Sequence, residues 1–369
     1  MMPKEEITQK EAICLLINFI MGSTLIVGIG TNAKNDAWLA SLFGILMAIP
    51  AIIIYSRILQ LFPGANLYDI VNLLFGKYLG SVVTILYIWY SFHLGALVVR
   101  DFGEFLNTIT MPETPMLVPM FSLIIICIFA VRLGIEVISR TSAYFFPIML
   151  FIIIIVQLLS ISKMDFEYIF PILYYGLSPI IKEGFSAFAF PFAETVIFLG
   201  VLGSLQPKKS PYKVYFTGVL VAGIILTFIV LRNIFVLGNQ LSNFYFPSHV
   251  AISRIHIGDF LQRMEVTVAF IFVVGVFIKV SLCLLLTCKG IAKLFHLNDY
   301  RSITMQTGIL MVYLAYILYD NIVDMHFWTF YVYKYYAFPF QVILPLIIFI
   351  TAEFKNRREQ TKKHNKSSV

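Results

Sequence analysis

Two ionisable residues in this chain stand inside runs that are otherwise apolar. Glu194 lies in GFSAFAFPFAETVIFLG and Lys279 lies in VGVFIKVSLC. At the centre of a membrane helix such a group costs about 2.5–3.5 kcal/mol on insertion scales, so its default reading is functional. Glu194 can bind a ligand ammonium, hold a proton, or pair with Lys279. It can also serve structure alone, as a protonated acid capping backbone released by Pro191. Lys279 is too deep to reach the interface with its head group and must face a cavity or a carboxylate. It can exchange a proton, act as a fixed positive charge where a bound cation would otherwise sit, or simply neutralise Glu194 or free carbonyls.

The sequence around these residues is broken in two places. MGSTLIVGIG carries Gly22, Gly28 and Gly30 beside the hydroxyls of Ser23 and Thr24. Glycine disfavours continuous helix, and Ser and Thr can satisfy the backbone groups a break exposes. In the other run Pro191 removes a backbone donor one turn before Glu194. Phe188, Phe190 and Phe192 flank that proline and either line an apolar pocket or face lipid. Backbone left unpaired at membrane depth is tolerated only beside protein or a polar cavity. Packing glycines and a proline kink remain the plainer alternative.

Other polar groups carry less. Asn18 and Gln157 read as interhelical hydrogen-bonding groups, and His93 in WYSFHLG stands alone. Arg263 and Glu265 read as an interfacial anchor, and Asp320, Asn321 and Asp324 as solvated. The aromatic cluster FWTFYVYKYY, residues 327–336, has the composition of a membrane-interface belt. GxxxxGK[ST], HExxH and a believable serine–histidine pairing are missing, so an enzyme is not expected. Cys14, Cys127, Cys283 and Cys288 form no CxxC pair, and neither a metal site nor a cofactor is expected.

The elements that must position these residues follow from composition. The chain has 369 residues, 59% apolar and 13% charged, where a soluble domain has about 45–50% and about 25%. That excludes an ordinary soluble globule, and the abundance of aromatic and branched residues excludes disorder. About 20 apolar residues cross a bilayer as a helix. Ten such segments are expected, near 13–31, 37–61, 81–106, 115–131, 142–161, 185–203, 214–236, 264–288, 303–320 and 337–353. FIIIIVQLL does not alternate as a barrel strand would. The segment 64–80 is amphipathic and reads as a short interfacial helix.

The net charge of +7 reflects topology rather than nucleic-acid binding. With the N-terminus placed in the cytoplasm, the inner connections and tail hold eighteen of the 27 Lys and Arg residues. Both termini are then cytoplasmic, and the basic tail, 354–369, touches anionic lipid. The expected organisation is one all-α transmembrane domain over 1–369. It comprises a short segment 1–12, a first repeat 13–161, a second repeat 185–353 and the tail. Broken spans first and sixth of ten are what two inverted five-span halves produce, with the substrate between the breaks.

Several strings then carry a resemblance: MGSTLIVG, ANLYDIVNLLFGKYLG, FPFAETVIFLG, RMEVTVAFIFVVGVFIKVSL and LNDYRSI. In order and spacing the chain resembles the B subunit of spore germinant receptors. That is the endospore germination permease family, within the amino acid–polyamine–organocation superfamily. The resemblance implies a LeuT-like five-plus-five inverted-repeat fold in a spore inner membrane. It also implies an A subunit and a lipoprotein C subunit as partners, and a small germinant, commonly an amino acid. The ligand carboxylate would meet backbone at Gly22, Ser23 and Thr24, and its ammonium the carbonyls near Ala187–Phe190, with Glu194 close by. The superfamily usually has glycine where Thr24 stands, which would narrow the pocket. The rival expectation is a proton-coupled amino acid transporter using Lys279 or Glu194.

Overall fold

A computed structural model describes residues 5–255 and 265–367, and these residues are nearly all helical. The first helix, α1 (Gln9–Met21), opens on a reciprocal cap. Thr8 Oγ1 accepts from the Glu11 N–H at 3.2 Å, and the Glu11 carboxylate accepts from the Thr8 N–H at 2.8 Å. The chain breaks at Gly22–Ser23 and resumes as α2 (Thr24–Val27). Next come α3 (Ala37–Leu61) and α4 (Leu67–Phe105). Asn66 caps α4, and Gly76 interrupts it at φ 73°, in the left-handed region where a side chain is strained. The interruption separates 67–75 from the long span that follows, as the amphipathic reading of 64–80 expects.

Gly134, at φ 96°, both ends α5 (Leu117–Leu133) and precedes α6 (Ile135–Ser160). Then α7 (Leu177–Ala187) runs into an irregular stretch before α8 (Phe198–Val201). Helix α9 (Pro211–Leu237) starts with Ser210 as cap and a proline in its first turn, where a missing N–H costs nothing. After it come the short α10 (Pro247–Ser253) and the long α11 (Glu265–Leu294). The chain ends with α12 (Thr304–Ile317), α13 (Ile322–Phe327), α14 (Tyr333–Phe338) and α15 (Leu344–Ser367). Arg263 lies outside the described residues.

Among the described residues, seven helical stretches are long and apolar enough to cross a membrane, where the composition suggests ten. The difference has a length cause. The first expected span is cut at Gly22 into pieces of 13 and 4 residues. The fourth and ninth are helices of 17 and 14 residues. At about 1.5 Å per residue none of these alone covers a core of roughly 30 Å. The aromatic cluster 327–336 belongs to one of these seven stretches. It is helical and continuous with the last crossing, Ile322–Arg358.

The core is one large apolar cluster in which α11 packs on α4, α5 and α1, and α3 packs on α7 and α9. Polar side chains join helices within it. Asn18 Nδ2 donates to the Ser142 carbonyl and hydroxyl at 3.0 and 2.8 Å, and Ser41 and Thr227 share a 2.9 Å bond. Gln157 donates to the Phe228 carbonyl at 3.0 Å. Asp320, Asn321 and Asp324 are exposed, and Asn321 caps α13.

The residues before α1 are clasped by the bundle. The Glu5 carboxylate accepts from Arg301 Nη2 at 2.8 Å and the Tyr300 hydroxyl at 3.1 Å, with Lys289 Nζ at 3.6 Å. The Ile7 N–H donates to the Ser204 carbonyl at 2.8 Å. Replacing Arg301 with alanine removes a partly exposed, charge-assisted bond worth about 1 kcal/mol. Amide exchange at Ile7 should then quicken about fivefold by hydrogen-exchange mass spectrometry. Unchanged protection at Ile7 would show that the clasp holds without Arg301.

Candidate functional site

The break in the first helix is held open by close packing. Gly22 departs from helical geometry at φ −23°, ψ −108°. A Cβ added at Gly275 of α11 would fall 2.9 Å from the Gly22 Cα, so the two backbones meet there without side chains between them. Lys279 lies one turn further along α11, and its stem runs beside Gly22. The Gly22 N–H bonds the Asn18 carbonyl at 3.0 Å, and the Thr24 hydroxyl donates to the Ile20 carbonyl at 2.7 Å. Of the backbone N–H groups expected to meet a ligand anion, that of Gly22 is thus committed to the helix. The Ser23 hydroxyl is fully buried and faces Asp101 on the cavity wall.

The second break falls at Pro191. Helix α7 ends at Ala187, and Phe190 leaves helical geometry at φ −133°, ψ 112°. The carbonyls this frees find side-chain donors. Gln341 Nε2 bonds the Ala189 carbonyl at 2.8 Å, and the Tyr215 hydroxyl bonds that of Thr195 at 3.2 Å. The Tyr55 hydroxyl reaches the Ala193 carbonyl at 3.4 Å and also bonds the Gln341 carbonyl. Such satisfaction is what makes irregular backbone tolerable at this depth.

Glu194 and Lys279 meet directly. Lys279 Nζ donates to Glu194 Oε2 at 2.5 Å, with the side chains 0% and 1% exposed. Lys279 Nζ also sits 5.2 and 5.0 Å from the ring centres of Phe19 and Phe190. Glu194 Oε1 accepts from the Tyr333 hydroxyl at 2.5 Å. The chain of bonds continues from Tyr333 to Tyr90 at 3.3 Å, and from Gln341 to both Tyr90, at 2.9 Å, and the Ala189 carbonyl. One network therefore ties the buried ion pair to both ends of the break and to the last crossing.

A cavity lies between the two breaks, lined by Ser23, Phe190, Glu194, Asp101, Trp328 and Tyr333 among others. Its free volume is about 20 Å³, room for water but not for an amino acid without movement. Of the residues expected at the site, Ser23, Phe190 and Glu194 line this space. Ala187 packs on Gly44 of α3, Phe188 stacks near Phe185, and Phe192 is buried near Gly223 of α9. Those three side chains therefore lie away from the cavity, as do Gly22 and Thr24.

Asp101, Tyr333, Tyr90 and Gln341 were not singled out by sequence. Asp101 is 9% exposed and lines the cavity beside Ser23. Its neighbours on α4 neutralise each other, with Arg100 Nη2 bonded to Glu104 at 2.8 Å. Among the described residues Asp101 makes no salt bridge of its own, although the Lys279 charge acts on it as well as on Glu194. Its position beside two other charges, in VVRDFGEF, was the available signal. His93 does not line the cavity but packs behind it, stacked on Trp89 with ring centres 5.3 Å apart and edge-on to Trp328 at 5.5 Å.

Comparison with known proteins places this geometry. Residues 6–323 match the family model described as spore germination protein. The chain is 30% identical to spore germination protein KB of Bacillus subtilis (strain 168), over 98% of both chains. It is 21% identical to spore germination protein A2 of the same organism, over 94% of this chain and 95% of that one. Two solved structures share the fold. Mhp1, a nucleobase-cation-symport-1 family transporter in a closed conformation with bromovinylhydantoin bound, aligns at TM-score 0.72. It is 11% identical, over 94% of this chain and 78% of its own. MhsT in complex with L-phenylalanine aligns at 0.70, with 13% identity, over 95% of this chain and 100% of its own.

Breaking a buried pair from one side leaves an uncompensated charge and costs about 3–5 kcal/mol. Lys279→Met alone should lower thermal stability in detergent by that order. Adding Glu194→Gln should recover most of the loss, because the amide keeps its bond to Tyr333 and carries no charge. Additive losses in the double variant would show that the two side chains are not energetically coupled.

Proposed function

The chain belongs to the spore germination protein family, and from that premise we propose that it is a germinant receptor subunit that binds an amino acid between its two helix breaks. The observation that carries this reading is the juxtaposition of Ser23 on one break with Phe190 and Glu194 on the other, around one cavity. We read the chain as ten crossings in two inverted halves, 13–161 and 185–353. In that reading α1 with α2 forms the first crossing, and α7 through α8 forms the sixth. The fold shared with Mhp1 and MhsT supports it. The complex with L-phenylalanine belongs to MhsT, and its bearing here is that this fold can seat an amino acid.

Each group then has a task. Lys279 holds Glu194 as a neutral pair and supplies fixed positive charge beside the broken first helix. Asp101, which makes no salt bridge of its own, takes the ligand ammonium, a charge-assisted bond of the stronger kind. The ligand carboxylate meets the Ser23 hydroxyl and the backbone beside it at the first break. Phe190, Trp328 and Tyr333 close over the side chain. Because the cavity is too small as packed, binding selects a wider conformer and shifts the population. That shift is the signal passed to an A subunit and a lipoprotein C subunit in the spore inner membrane. Both termini lie in the cytoplasm, and the basic tail lies against anionic lipid.

Asp101→Asn should raise the amino acid concentration needed for germination by about tenfold or more, the worth of one charged hydrogen bond. Gly22→Leu should abolish the response. Full-range dose–response curves in spores check both, and unchanged curves would remove the site from this cavity. Uptake of labelled amino acid into proteoliposomes, with and without a pH gradient, separates a receptor from a proton-coupled transporter. Gradient-driven uptake would favour the transporter.

A further inference from the structure

A second cavity lies against α2 and shares no residue with the first. Its walls come from α2, α6, α9, α10 and α11, and most are branched aliphatic: Leu25, Ile153, Val156, Ile229, Ile252 and Ile271. Two polar groups face it, Arg232 and Ser248. Arg232 is 3% exposed, five residues before the end of α9. Its Nε and Nη2 donate to the Asn233 side-chain oxygen at 3.2 and 2.7 Å. Asn233 Nδ2 donates in turn to the Ser248 oxygen at 3.0 Å.

Counting donors leaves a surplus. A guanidinium has five N–H groups and no acceptor, and it does not deprotonate. Two of the five are directed at Asn233, and among the described residues no carboxylate pairs with Arg232. Ser248 accepts from Asn233, so its own proton is free to be donated. The Asn233 oxygen is already engaged twice. The cavity thus presents a full positive charge and a hydroxyl donor, set in hydrocarbon. A buried, unpaired cation is a strongly unfavourable arrangement that an anion relieves and a neutral water does not. The free volume is about 20 Å³, which admits one water-sized or monatomic species. Carboxylate ligands, phosphate and sulfate would need the walls to part.

We infer that Arg232 and Ser248 form a site for a single small monovalent anion, chloride in a physiological medium, buried against the second half of the broken first helix. The anion completes the charge of α9 and packs beside Leu25, two residues beyond Ser23. The site is independent of the amino acid reading, and so is its test.

Purified full-length protein in neutral detergent is unfolded by heat while sodium chloride or bromide replaces sodium gluconate at constant ionic strength. The unfolding temperature should rise saturably with either halide and stay flat in gluconate, because a ligand selective for the folded state stabilises it. Ser248→Ala, which removes one donor and little volume, should shift the halide midpoint upward by about tenfold. Arg232→Met should abolish the halide dependence. Bromide anomalous scattering from crystals should give one peak beside Arg232. Equal unfolding temperatures in chloride and gluconate for the wild-type chain would overturn the proposal. So would an unchanged halide midpoint in Ser248→Ala.

Discussion

The ion pair between Lys279 and Glu194 is the constraint on which the centre of this molecule depends. Two full charges sit at most 1% exposed in an apolar bundle. Neither is sustainable alone, because the low-dielectric interior makes a lone charge far costlier than a pair. Their meeting fixes where α11 lies relative to the second break. It also requires α11 to approach the first break closely, and Gly22 against Gly275 provides that approach. The position of one helix thus sets the geometry of both interruptions.

The interruptions survive because their loose backbone groups are claimed from the side. Tyr55, Tyr215 and Gln341 reach carbonyls around Pro191 from α3, α9 and the last crossing. Thr24 closes a carbonyl of its own helix. Tyr333 links the same last crossing to Glu194. A displacement of that crossing therefore loosens the second break and the ion pair together. Such coupling is what a ligand-driven change of conformer requires, since one contact cannot be widened without altering the other.

Much of this was legible in sequence, for physical reasons. Glu194, Lys279, Pro191 and the glycines of MGSTLIVGIG stand out because the bilayer makes each costly or disruptive on its own. The residues that complete the site do not stand out. Tyr333 was hidden in an aromatic run whose composition suits an interface, and only its helical continuity with the last crossing buries it. Asp101 stood near a span end beside Arg100 and Glu104, where charge is ordinary, until α4 proved to bury all three. Gln341 and Tyr90 are unremarkable by type, and their role comes from the partner across the bundle. The expected roles of Gly22 and Thr24 narrowed because their polar groups serve the helix first.

On the proposed function, Lys279 neutralises Glu194 and leaves Asp101 to meet a cationic ligand group. An experimental structure in nanodiscs, with the amino acid that most raises the unfolding temperature, tests it most directly. Ligand is expected between the two breaks, its ammonium within hydrogen-bond distance of Asp101 and the Lys279–Glu194 pair still closed. A ligand whose ammonium lies on Glu194, with Lys279 turned away, would contradict it.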